Sequence, residues 1–288
     1  MLSHSLLVQS AYQLEPLPPS LSRLAALMAQ EDPDPGEITE VLSFDPVITA
    51  KLLRVANSAS SAPERPITRV RDAVIRMGPG LVFSLAVGFA ARPLMTRHIP
   101  GYELSPGELW RHSVLTALAA ESACGVCSTH IPAEAFAAAL LHDMGKLILG
   151  RFLTPETCAL LRRAVEEGGM ETSQAEVEIL SLHHGEVGAV IAQHWQLPDG
   201  IAQGIHYHHD PQVGGQTICY VTYLADVTAK SIAAGAPLPE RERKHLDATM
   251  AVLGLTPEGF EKLQTTVAAN FERMGARYNL SAAPAGSG

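Results

Sequence analysis

The sequence predicts an all-α protein, an N-terminal bundle of short helices packed on a second helical block. Three observations carry that expectation. Ala and Leu dominate a chain of 288 residues that is 47% hydrophobic but only 5% aromatic, which favours helices over a β-sandwich. Apolar residues recur at three- and four-residue spacing, segment after segment, between Pro and Gly breaks. No stretch shows sustained period-two alternation between turn residues, so no sheet is expected.

Taken in order, residues 1 to about 16 read as a loosely held lead-in. Ser20 then caps a helix carrying Leu21, Leu24, Leu27 and Met28, and Glu31-Asp32-Pro33-Asp34-Pro35-Gly36 ends it. A second helix runs from about Glu37 to Leu42. A third starts at Asp45-Pro46, with Asp45 as N-cap and Pro46 at the first position, where a missing N–H does no harm. After a polar loop with Pro63 and Pro66, Val70–Met77 is helical up to Gly78-Pro79-Gly80, and Leu81–Ala91 is an apolar helix. From Ser105 the character changes, because nine of the twelve histidines lie between His112 and His209. Helices are expected at Glu108–Cys124, Pro132–Leu149, Pro155–Glu167, Thr172–Leu182, Val187–Gln193, Asp199–His209, Gln216–Ala234, Glu240–Leu253 and Pro257–Tyr278. The small, Pro/Gly-rich stretch Ser281–Gly288 is expected to be disordered. This divides the chain into a first block at 1–100, a second at 101–236, and C-terminal helices with a tail at 237–288.

Composition also excludes. The formal net charge is -9 with histidine neutral, and no basic stripe exists, which argues against a nucleic-acid binder. The longest apolar runs fall short of the roughly 20 residues of a membrane span, and no signal peptide opens the chain. Of four cysteines, only Cys124 and Cys127 are close, and no second pair completes a zinc site. They read as two small residues on an Ala-rich helix. The expected setting is a reducing, cytoplasmic compartment.

The chemistry centres on Ala135–Leu149, apolar on every side of a helix, into which His142 and Asp143 are set, with Lys146 three residues on. Burying a lone carboxylate costs several kcal/mol or more, so Asp143 needs a cation. Four further places hold metal-ligating residues. Glu108 and His112 are four apart on one helix face; His184 opens a helix; His208 and His209 close another; Asp226 sits in an apolar run. His183 is a candidate partner behind the ligands. His130, His194, His206 and His245 have no such company and read as ordinary polar residues. Together Glu108, His112, His142, Asp143, His184, His208, His209 and Asp226 make eight donors. One octahedral ion accepts about six, so the set fits two ions about 3.5 to 4 Å apart, bridged by Asp143. The mix of imidazole and carboxylate suits iron or manganese, or else zinc. Such a pair would activate a water and clamp a phosphate, with Asp143 and Lys146 as the catalytic residues.

His112, then His142-Asp143, then Asp226 follow the H…HD…D order of the HD superfamily of metal-dependent phosphohydrolases, which the chain resembles. More closely, the span from Leu17 to Gln212 looks like an HDOD domain, the HD-related output domain of bacterial signalling proteins. The residues that carry this are Leu17-Pro18-Pro19, Asp45-Pro46, Leu52 to Ser58, Asp72-Ala73-Val74 leading to Gly78, Leu109 to Ser113, His184 to Gly188, Trp195 to Pro198 and Tyr207 to Pro211. The resemblance implies an HD-like helical second block. Many HDOD domains have lost the metal ligands and are regarded as regulatory, whereas this sequence keeps those positions. Its ligand set is similar to that of HD-GYP phosphodiesterases, yet His209 is followed by Asp210-Pro211-Gln212-Val213-Gly214 in place of a Gly-Tyr-Pro signature. That argues against cyclic-dinucleotide hydrolysis and leaves metal binding untouched.

The expected function is therefore a regulatory output module of bacterial signal transduction with an occupied metal site. An active di-metal phosphohydrolase or phosphodiesterase is the alternative, and a metal-free interaction protein the third reading. Expected partners are signalling proteins or a small nucleotide or phosphoester. Nucleic acid and membranes are not expected, and the helices after Glu240 are candidates for a homodimer contact. No receiver domain precedes the module, so its input is expected from a separate protein or a ligand.

Overall fold

The computed structural model describes residues 4–30, 33–57 and 66–278. The loop at Pro63, the break at Glu31-Asp32 and the tail from Ser281 lie outside these. Among the described residues the regular structure is entirely helical, with one isolated bridge between Ile99 and Leu104. The helices are α1 His4–Tyr12, α2 Pro19–Met28, α3 Pro35–Ser43, α4 Pro46–Ala56, α5 Val70–Met77, α6 Pro79–Met95, α7 Glu108–Ala123, α8 Ala135–Leu141 and α9 Lys146–Leu149. There follow α10 Pro155–Glu166, α11 Thr172–Leu180, α12 His184–His194, α13 Asp199–His206, α14 Pro211–Gly214, α15 Thr217–Ala234, α16 Leu246–Leu253 and α17 Pro257–Tyr278. No single one of them is long and apolar enough to cross a membrane.

Helices α2 to α6 pack on one another, and α6 leans on α8. Asp45 caps α4 as expected, accepting from the amides of Val47 and Ile48 at 3.1 and 3.0 Å. Ser20 does not cap α2. The helix starts two residues earlier, at Pro19, and the Ser20 hydroxyl donates to Asp45 Oδ2 at 3.0 Å, tying α2 to the start of α4. Between α5 and α6 the chain turns sharply at Gly78, whose φ of +79° a side chain would oppose.

The lead-in is not loose. Leu7, Ala11 and Leu14 fall at i, i+4 and i+7 and are buried, a stripe that packs α1 onto α12 and α9. Leu14 and Glu15 carbonyls accept from His194 Nε2 and Trp195 Nε1 at 3.3 and 3.2 Å. The first segment thus belongs by contact to the second block.

In that block α7 and α15 lie against each other and α8 crosses both, while α13 bridges α8, α15 and α12. Where α13 meets α8, Gly204 brings the backbones so close that a Cβ would stand 2.9 Å from the Ala138 Cβ. Helices α16 and α17 fold back on α15 and α7 and bury Leu253, Leu263, Val267 and Phe271. Most of the buried apolar residues form one cluster that runs from Leu7 to Phe271.

Three expected helices are divided differently. Pro132–Leu149 breaks after Leu141 into a turn over His142–Gly145. The helix from Asp199 ends at His206, ahead of His208 and His209. The stretch from Glu240 is a single 3-10 turn followed by α16 from Leu246.

Candidate metal centre

The break after α8 builds the site. Gly145 touches the backbone at the start of α12, and a Cβ there would stand 1.9 Å from the His184 carbonyl oxygen. Only glycine allows that approach, which sets His184 Nε2 3.1 Å from Asp143 Oδ1. Helix α7 brings His112, the residues after α13 bring His208 and His209, and α15 brings Asp226.

These side chains form two groups of donors that meet at Asp143. In the first, His184 Nε2 lies 3.3 Å from His208 Nε2 and 2.9 Å from His209 Nε2. In the second, His112 Nε2 lies 3.2 Å from His142 Nε2 and 3.1 Å from Asp226 Oδ1. The Asp143 carboxylate turns Oδ1 to the first group and Oδ2 to the second, 3.4 Å from His142 Nε2 and 3.7 Å from His112 Nε2. In each group the three donor atoms lie within 4.8 Å of one another.

The arrangement is wrong for protons and right for cations. Ring Nδ1 of His142 donates to the Ala139 carbonyl at 2.8 Å, that of His208 to the Ile205 carbonyl at 2.6 Å, and that of His184 to Glu176 Oε2 at 2.7 Å. A neutral ring with its proton on Nδ1 presents a bare lone pair at Nε2. Three such lone pairs therefore point into one small buried space, towards a carboxylate. Asp226 Oδ1 is buried there too, with no aligned donor, a costly condition unless a cation completes it.

The electrostatics agree. Burial pushes the Asp143 and Asp226 carboxyls up, but Lys146 beside the first, Lys230 beside the second and the surrounding histidines hold both well below the usual carboxylate range. Lys146 Nζ is 2.8 Å from Asp143 Oδ2 and Lys230 Nζ 2.7 Å from Asp226 Oδ2. Burial and neighbouring rings push His208 and His209 well down, so both are neutral, as ligands must be. His112 is lowered by burial, partly offset by Asp226. His184 is the exception: burial lowers it, yet Glu176 first and then Asp143 more than offset this and raise it.

Seven of the eight expected donors are thus brought together. Glu108 is not among them: it lies exposed in the first turn of α7, and its carboxylate accepts from the Ser105 amide at 3.0 Å. His183 is engaged elsewhere. It is the N-cap of α12, its Nδ1 accepting from the Gly185 amide at 3.0 Å, with Glu186 completing a capping box. The group behind His184 is Glu176, fully buried, which also accepts from the Tyr102 hydroxyl at 2.7 Å. Burial raises the Glu176 carboxyl, and the charge and hydrogen bonds of His184 bring it below its ordinary value. Glu176 escaped the sequence reading because a glutamate in mid-helix looks like a solvated one. Its only signal is a position eight residues before His184. Cys124 and Cys127 are free thiols outside these donor groups.

The model of the HDOD domain family matches residues 14–211. An HDOD domain protein of unknown function from Geobacter sulfurreducens has a crystal structure similar to this one. The TM-score is 0.70 at 24% identity, covering 96% of this chain and 97% of that one. A candidate phosphohydrolase from Shewanella amazonensis gives 0.69 at 24% identity, covering 94% and 97%. At these identities the likeness is one of fold. An uncharacterised protein of Treponema pallidum is 25% identical over 201 residues, 67% of this chain but 37% of its own length. The chain therefore spans little more than a third of that curated relative.

Proposed function

The chain belongs to the HDOD domain family, and we propose that it works as a regulatory output module of bacterial signal transduction that holds divalent metal in its second block. One observation carries this reading: imidazole lone pairs, and an Asp226 oxygen with no aligned donor, converge beside Asp143. His184, His208 and His209 would hold one ion, His112, His142 and Asp226 a second, with Asp143 between them. The donor types suit iron, manganese or zinc. A bound ion supplies a Lewis acid and a fixed positive charge. The chain itself supplies ring orientation through Ala139, Ile205 and Glu176, and charge balance through Lys146 and Lys230.

The regulatory reading is favoured by how closed the site is. The side chains of His142, Asp143, His184 and Asp226 are each at most 5% exposed. Chelation is then expected to lower the melting temperature, because the ion binds only the native state, with no hydrolytic turnover to lose. A second reading, a metal-dependent phosphohydrolase or phosphodiesterase using Asp143 and Lys146, draws on the exposed edge of His112, whose side chain is 22% accessible. It expects manganese-dependent hydrolysis of p-nitrophenyl phosphate or a cyclic nucleotide, abolished in Asp143→Asn while the fold persists.

A further inference from the structure

His209 differs from the two rings it meets. The Nδ1 atoms of His184 and His208 are fixed by hydrogen bonds of 2.7 and 2.6 Å. That of His209 faces Glu171 Oε1 at 3.8 Å, beyond hydrogen-bond reach. Glu171 is the buried residue just before α11. Its other oxygen, Oε2, is 3.2 Å from Lys244 Nζ but has no aligned donor. Among the described residues, Lys244, its side chain 36% exposed, is the cation paired with this carboxylate.

Lys244 lies between the Glu240–Glu242 turn and α16, beyond the residues that match the family model. Its segment is attached close to the donors elsewhere too. The His245 amide donates to the Tyr223 hydroxyl at 3.1 Å, one turn before Asp226 on α15. His245 Nε2 stands 3.8 Å from Oδ1 of Asp210, the residue after His209.

Resting on the metal-binding reading above, we propose that Glu171 is the positioning residue of His209, that Lys244 draws its carboxylate off the ring, and that segment 240–245 thereby sets how tightly the His184–His208–His209 group holds a divalent cation. A carboxylate that accepts from Nδ1–H fixes the ring and makes Nε2 a better ligand, and losing such a partner costs about 10–100-fold in affinity. While Lys244 holds Glu171, that bond is unmade. Any event that lifts the segment releases the carboxylate, which needs to move only about 1 Å to reach His209.

The test is calorimetric titration of the full chain with Mn2+, alongside melting curves of the metal-free proteins to verify folding. Lys244→Gln is expected to tighten binding by about 3- to 10-fold, and Lys244→Arg to leave it as in the wild type. Glu171→Gln is expected to leave binding near that of the wild type, where the bond it removes is already unmade. The double variant should match Glu171→Gln, since Lys244 acts only through Glu171; a role for Lys244 apart from Glu171 would leave its gain in place. If Glu171→Gln does not fold, Glu171→Asp, one methylene too short to reach the ring, should abolish the Lys244→Gln gain in its place. Tight wild-type binding with Lys244→Gln unchanged, or a Lys244→Gln effect that survives on the Glu171→Gln background, would overturn the proposal alone. A wild-type protein that takes up no Mn2+, Fe2+ or Zn2+ would overturn the metal reading, and this proposal with it.

Discussion

Glu176 binds His184 twice through one carboxylate oxygen: Oε2 accepts from the ring Nδ1 at 2.7 Å and from the backbone amide at 2.8 Å. One residue thereby fixes both the start of α12 and the direction of its first side chain. Tyr102, from the 3-10 turn Pro100–Tyr102 between α6 and α7, holds the opposite oxygen. Replacing Glu176 by Gln removes the charge and one acceptor geometry, and should lower divalent-metal affinity by about 10–100-fold. Tyr102→Phe should have a smaller effect in the same direction. Competition against a metal-sensitive dye measures both.

The close approach at Gly145 makes a prediction about the fold and the site together. Gly145→Ala must push the Asp143 turn away from α12, because its Cβ would overlap the His184 carbonyl. Overpacking of this kind should cost about 2–4 kcal/mol, lowering the melting temperature by roughly 5–10 °C for a chain of this size. Metal affinity should fall with it, since Asp143 and His184 move apart. A thermal melt with and without Mn2+ separates the two effects.

Much of this was legible in the sequence. His142, Asp143, His184 and Asp226 stood out because ionisable residues in apolar surroundings need partners, and helix spacing located most of the bundle. Legibility ended where a residue's meaning lies in a distant contact. Glu176 and Glu171 look like surface glutamates until the fold sets them behind histidines. The turn at His142–Gly145 is invisible to periodicity, because apolar residues flank it on both sides and its cause is α12. Glu108 shows the converse: helical spacing to His112 was right, yet a shared face does not decide which end of a side chain reaches the cluster. The helix α1 was overlooked although Leu7, Ala11 and Leu14 carry its pattern.

The cap of α12 should titrate. His183 accepts from the Gly185 amide at Nδ1, which requires a neutral ring. Burial, then the nearby His184, lowers its pKa from 6.5 to about 4. The unfolded chain therefore binds the extra proton first. The stability contributed is full above about pH 6.5, declines as the pH falls, and is gone near pH 4. The difference corresponds to about 3 kcal/mol. In His183→Asn, an uncharged cap, urea unfolding of the chelated protein at pH 7 and pH 4.5 should show a stability loss smaller by that order.

The central claim is that the side chains around Asp143 are arranged for cations, and elemental analysis with metal-to-chain ratio measures it most directly. Wild-type protein purified without chelator and reloaded with Fe2+ or Mn2+ should carry close to two ions per chain. Asp143→Asn, which loses the charge shared by the two groups, should carry fewer than one while remaining folded. A wild-type chain that holds no stoichiometric iron, manganese or zinc after reloading would contradict the account.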